Sequence, residues 1–254
     1  DTLRSRGLGD VYKRQVSDGT TTTLVLSVLT DSGDIHVVNT GHLIVGTVDG
    51  LVGVEISDTA AVLDSGADNI TLVASSPLTV NNDVTNNDGG NISLTATDSG
   101  AAGDDLTVAT GVSITAAGGT GAITLNAGDN VALNGTALVT AAGSGAVTVT
   151  ADAGSVDAGG AITMADGSQV VSGSGTLDLN ATDNVTLGRL MTTGNVTIDT
   201  TAGEVLDGGD THTEIEADTA TITADGGIGE STGSGADAAL ELSLIHISEP
   251  TRPQ

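Results

Sequence analysis

Apolar residues recur two apart in short bursts along this chain, with turn-forming residues between the bursts. In Gly121-Ala-Ile-Thr-Leu-Asn-Ala-Gly-Asp-Asn-Val-Ala-Leu133, Ile123 and Leu125 precede a turn and Val131 and Leu133 follow it. That period is the mark of a half-buried strand, so the stretch predicts strand, turn, strand. It recurs without a gap at Gly175-Thr-Leu-Asp-Leu-Asn-Ala-Thr-Asp-Asn-Val-Thr-Leu187, 54 residues on, with eight of thirteen positions identical. Asp68-Asn-Ile-Thr-Leu72 repeats the second half, 61 residues before Asp129. Both offsets fit three turns of a solenoid at about 18 to 20 residues per turn. The turn residues are Asn, Asp, Gly and Thr, which tolerate left-handed backbone or bond their own main chain.

Further strands are predicted at 24–28, 35–38, 43–48, 70–73, 92–95, 106–108, 147–150, 196–199 and 221–223. No helical period competes with them. Wound into a solenoid, each strand stacks on its counterpart one coil away, about 4.8 Å along the axis, and pairs its amides there. The fold class expected is all-β, a parallel β-helix of about ten coils on the order of 50 Å long. The run 24–29 and the run 48–54 are the most hydrophobic and are expected as buried strands. Polar residues interrupt both, and a membrane span needs about 20 apolar residues in a row. Residues 81–91, rich in Asn and Asp, are expected as a loop projecting from one corner.

Composition sharpens this picture. The 254 residues include no Phe and no Trp, and one Tyr. A globular core of this size would use aromatics for bulk, whereas a narrow solenoid filled by Val, Ile, Leu and Ala needs none. The 37 glycines suit the many corners of such a coil.

Charge is uneven. Of six basic residues, five (Arg4, Arg6, Lys13, Arg14 and Arg252) lie in the terminal segments 1–15 and 243–254, as does Tyr12. Both segments look like translated sequencing-adapter sequence and are treated as foreign tails. The solenoid domain is then 16–242, a piece of a longer protein, with 30 acidic side chains against one basic and a formal charge of −29. So acidic a body excludes nucleic acid as a partner. With no cysteine there are no disulfides and no thiolate metal sites.

Gly-x-Ile-Thr-Leu, Asp-Asn-Val-x-Leu, Gly-Asn-Val-Thr-Ile and Ala220-Thr-Ile-Thr-Ala-Asp-Gly-Gly-Ile-Gly229 together resemble the repeat regions of filamentous-haemagglutinin-like bacterial adhesins, over roughly 66–242. The resemblance implies a right-handed parallel β-helix exported to the cell surface, and it carries over no catalytic residue.

Several constellations raise chemistry. The Asp-Asn pairs at 68/69, 129/130 and 183/184 carry the oxygen ligands that calcium takes, but turn chemistry accounts for them as well, and their spacing is not that of tandem calcium-binding nonapeptides. The candidate metal site is Asp210, His212, Glu214, Glu216 and Asp218, which an extended strand would place on one face. Neighbours there would stand about 6.5 to 7 Å apart, and a solvated acidic face is the plainer account. His36 and His42 are expected to be exposed or hydrogen-bonded. Thr-x-Thr pairs such as Thr148/Thr150 and Thr221/Thr223 suggest a flat threonine face for ice or a crystalline polymer, yet they recur at no fixed interval, and Thr is a common outward strand residue. Six Asn-x-Ser/Thr sequons follow from composition.

β-Helices also house polysaccharide-active enzymes, whose sites pair carboxylates with cations and add aromatic platforms. Here Arg189 is the sole cation of the body, and neither a nucleophile elbow nor a phosphate loop occurs. The expectation is a non-enzymatic stalk, without cofactor, of a secreted or outer-membrane-associated adhesin. It would be a monomeric rod that meets a surface glycan or protein through parts outside this sequence. The alternatives are a divalent-cation-stabilised surface-layer or polymer-binding solenoid and, behind it, a polysaccharide-active β-helix.

Overall fold

A computed structural model of the chain describes residues 9–17, 22–58, 66–154, 159–209, 212–229, 240 and 242–244. Among these residues there are 26 strands and no helix. In the body of the chain, strands pair in parallel one coil apart rather than with their chain neighbours. This sorts them into three ladders that wind round one core.

Ladder A comprises 35–39 and 70–74, then Ile92–Ala96, Ile123–Ala127, Val147–Thr150, Leu177–Ala181, Asn195–Thr200 and Thr219–Ala224. Ladder B runs from 24–26 through 43–45, 78–80, Leu106–Val108, Val131–Leu133, Ile162–Met164, Val185–Leu187 and Glu204–Asp207 to Gly227–Ile228. Ladder C runs from 28–30 through Val54–Ile56, Val84–Asn86, Ser113–Ala116, Leu138–Ala141, Gln169–Ser172, Arg189–Met191 and Ile215–Ala217 to Leu242–Leu244. The fold is the expected all-β parallel β-helix. Its nine rungs on ladders B and C, close to the ten or so coils anticipated, give a rod of about 40 Å.

Coil length is where the sequence misleads. Along ladder A the step is 35 residues from Ile35 to Ile70 but 19 from Leu177 to Val196. The 54-residue repeat is two coils, Ile123 to Val147 to Leu177, and not three. The 61-residue echo is no whole number of coils. Asn69 precedes a ladder A rung, whereas Asn130 precedes a ladder B rung. The shared motif marks a corner without saying which corner.

Inward positions stack like on like. Ile35, Ile70, Ile92 and Ile123 share the first position of ladder A, and Leu72, Leu94 and Leu125 the third, all buried. The core consists of Val, Ile, Leu, Ala and Met164, and each large aliphatic side chain removed from water contributes about 1.5–3 kcal/mol. Buried polar side chains sit at rung ends and tie corners together. Ser172 Oγ donates to the Gly145 carbonyl at 2.9 Å and accepts the Gly175 N–H at 2.9 Å. Thr200 does the same between Asp183 and Gly203.

The corner entering ladder A is built on a column of glycines, Gly90, Gly121, Gly145, Gly175 and Gly194. A Cβ on any of them would collide with the backbone carbonyl stacked below it; on Gly145 it would meet the Gly121 oxygen. None of the five has positive φ. Close approach, not backbone freedom, requires glycine here.

Three local expectations are revised. Residues 81–91 do not project as one loop, since Val84–Asn86 is a ladder C rung with Val84 and Asn86 fully buried. The run 48–54 is not one buried strand: Thr47–Val48 pairs with Leu51–Val52 as a hairpin, and Val54 begins a rung of ladder C. Positive φ at Asp49 and Gly50 turns the hairpin, leaving Val48 buried and Val52 exposed. Residues 9–17, most of which composition sets apart from the body, pair antiparallel with 22–30 and so extend the sheet beyond the first rungs of ladders B and C.

Candidate functional site

The candidate metal residues are strung along two corners and a short rung. The strand covers Ile215–Ala217, with Ile215 and Ala217 buried and Glu216 exposed. Glu214 lies at the preceding corner, 2% exposed, and its carbonyl accepts the Leu190 N–H at 2.6 Å. Asp218 lies at the following corner and donates its N–H to Gly194. His212 is exposed, and Asp210 falls outside the described residues. The alternation that suggests a shared face is broken, because the strand is three residues long. What the structure does bring together is Glu216 and Arg189, paired at 3.1 Å on the outside of ladder C. No group of three or more His, Asp or Glu that could hold a metal ion is found among the described residues.

The Asp-Asn pairs have a structural task. Asn69 Oδ1 accepts the Asn91 N–H, and Asn91 Oδ1 accepts the Ala122 N–H, each at 2.9 Å and each one coil on. The same happens before ladder B, where Asp105 Oδ1 accepts from Asn130 at 3.1 Å and Asn130 Oδ1 from Ala161 at 3.0 Å. Asn184 Oδ1 continues the series to the Glu204 N–H at 2.8 Å. Each Asx occupies the position directly before a rung and satisfies an amide that the corner would otherwise leave bare. The partner Asp129 accepts N–H bonds from Gly103 and from Asp104, the latter at 2.9 Å. Asp105, Asp129 and Asp183 line a shallow trough of about 450 Å³ at the corner between ladders A and B.

His36 is exposed. His42 is half-buried, with Nε2 2.9 Å from Thr79 Oγ1, and burial holds its pKa below the ordinary value of 6.5.

The outer surface of ladder A holds a feature that sequence spacing conceals. Its rungs are long enough to present two outward positions each. The first forms a file headed by His36, in which Thr71, Ser93, Thr124 and Thr148 are consecutive, Asp178 interrupts, and Thr197 and Thr221 follow. The second file runs Val38, Val73, Thr95, Asn126, Thr150, Asn180, Asp199 and Thr223, apolar over its first two rungs and polar from Thr95 on. Thr148/Thr150 and Thr221/Thr223 therefore lie on one face and in register. The objection that they recur at no fixed interval does not hold in space, because coil length varies while register does not. At the leading edge of this face a groove of about 500 Å³ runs over four rungs, between Asn69 and Asn91 on one side and Thr71, Ser93 and Thr124 on the other.

No protein-family model, curated protein or solved structure matches this chain.

Proposed function

We propose that the chain is a passive β-helical stalk from a secreted or surface-exposed bacterial adhesin, without catalytic role, whose receptor is met by segments outside this sequence. The observation that carries the reading is the coil-on-coil parallel pairing of three ladders around one aliphatic core. Such a rod transmits length and load through stacked main-chain bonds rather than through a hinge or a closing cleft. The acidic corners favour it, since like charge keeps neighbouring rods apart. So does the scarcity of cations, because Arg189 is already engaged by Glu216 and no second cation of the body stands by for acid–base or phosphate chemistry. The resemblance of the repeats to filamentous-haemagglutinin-like adhesins points the same way.

Long-read sequencing outward from both ends of the source locus tests the proposal. Further coils behind an export signal, with a surface anchor or secretion domain, are the expected result. A frame with no export signal, or one fusing these coils to an intracellular domain, would sink it.

A further inference from the structure

We infer that the outer face of ladder A is an ice-binding surface. Of the three faces, only A is a broad two-dimensional array. Ladder B offers one outward position per rung over most of its length, and ladder C offers two over a short stretch that includes Leu138 and Gln169 and ends at Arg189. On ladder A the two files stand about 6.6 Å apart across the rung and repeat about every 4.8 Å along the axis. Both spacings lie close to oxygen repeats on a prism face of ice.

The chemistry of the array selects its partner. The molecule carries a formal charge of −27, yet among the described residues most acids lie at corners and only Asp178 and Asp199 enter the two files. A cationic partner would be drawn to the corners and an anionic one repelled. An uncharged hydrogen-bonding surface suits the face. A sugar lattice would be held by aromatic platforms, and the body has none. Threonine supplies a methyl group and a hydroxyl from one stiff side chain, which is what a water layer merging with a lattice needs: apolar ground that spaces the water and hydroxyls that anchor it. Rigidity comes from the backbone ladder beneath and from bonds such as Thr219 Oγ1 to Asn195 Oδ1, 2.8 Å, at the face's edge.

The inference is independent of the stalk reading and survives or fails without it. It is tested with the full chain, by thermal hysteresis and by partition into slowly grown ice. The expected result is measurable hysteresis with faceted crystals and enrichment in the ice. Thr148→Tyr, in the middle of the array, should abolish both, while Thr107→Tyr on ladder B should leave both intact. Asp178→Thr combined with Asp199→Thr removes the two carboxylates from the files and should raise hysteresis, which keeps the test decisive if Thr148→Tyr does not fold by circular dichroism. Absence of hysteresis and of ice enrichment in the unaltered chain overturns the inference. So does activity indifferent to Thr148→Tyr, or retention on microcrystalline cellulose with none on ice, which would give the face to a crystalline polymer instead.

Discussion

The side-chain oxygen of Asn91 accepts the backbone N–H of Ala122, 31 residues later and one coil further along the axis, at 2.9 Å. Asn91 is itself bound in the same way through its own N–H to Asn69. Removing one link strands an amide at a corner where no strand partner replaces it. Asn91→Ala should cost about 0.5–1.5 kcal/mol, a fall in melting temperature of about 2–4 °C per kcal/mol for a domain of this size. Asn91→Asp keeps the acceptor and should cost less. Equal losses in the two variants, read by thermal melts, would show that the acceptor is not what matters.

The glycine column makes a sharper prediction. Gly145→Ala places a methyl group against the Gly121 carbonyl, whereas Gly119→Ala meets nothing within 4 Å. The first should destabilise by about 1–3 kcal/mol or more, as overpacking does, and the second should stay within about 0.5 kcal/mol of the parent. Denaturant melts of both variants, with unchanged m-values, make the comparison.

His42 gives the rod a pH dependence whose sign is fixed by burial. Its folded pKa lies below 6.5 because burial disfavours the charged ring. Above 6.5 the ring is neutral in both states and its contribution is complete. As pH falls below 6.5 the unfolded chain takes up the proton first, so stability is lost until the folded pKa is passed. His42→Gln should flatten that part of the profile. A stability curve between neutral pH and pH 5 that is the same in both proteins would contradict the assignment.

Self-repulsion among the corner carboxylates should make stability rise with monovalent salt, chiefly below the physiological range where screening changes most. Arg189 and Glu216 are 37% and 48% exposed, so their pair offsets little of this. Calcium and a chelator at matched ionic strength should give the same melting temperature, since Asp129 already accepts two backbone N–H bonds. A calcium-specific rise would mean that the acidic corner binds ions.

Strand identity was legible in the sequence because a period of two needs only local residues, and Ile123, Leu125, Val131 and Leu133 all point inward as that period requires. Coil length was not legible. Corners absorb insertions of any size, so the same Asp-Asn motif before a rung of ladder A and a rung of ladder B looks like one repeat at a false interval. The threonine face was hidden for the same reason. Thr148 and Thr221 are aligned through Asp178 and Thr197 by pairing that has no counterpart in linear spacing. The Asx ladder left a readable trace, an Asp or Asn directly before Ile, Leu or Val at 34, 69, 83, 91, 105, 130 and 184, whose purpose only the stacked corners reveal. The alternation from His212 to Asp218 misleads in the opposite direction, since it reads as one long strand and the rung is three residues.

Because the steps along ladder A range from 19 to 35 residues while the rungs of that ladder stay in register, reach and girth are separate genetic quantities in this molecule. A deletion or insertion at a corner thickens or thins the rod at one level and moves neither end. Only the gain or loss of a whole coil changes how far it extends, in increments of a single strand spacing. Such a chain can drift at its corners and still keep its span.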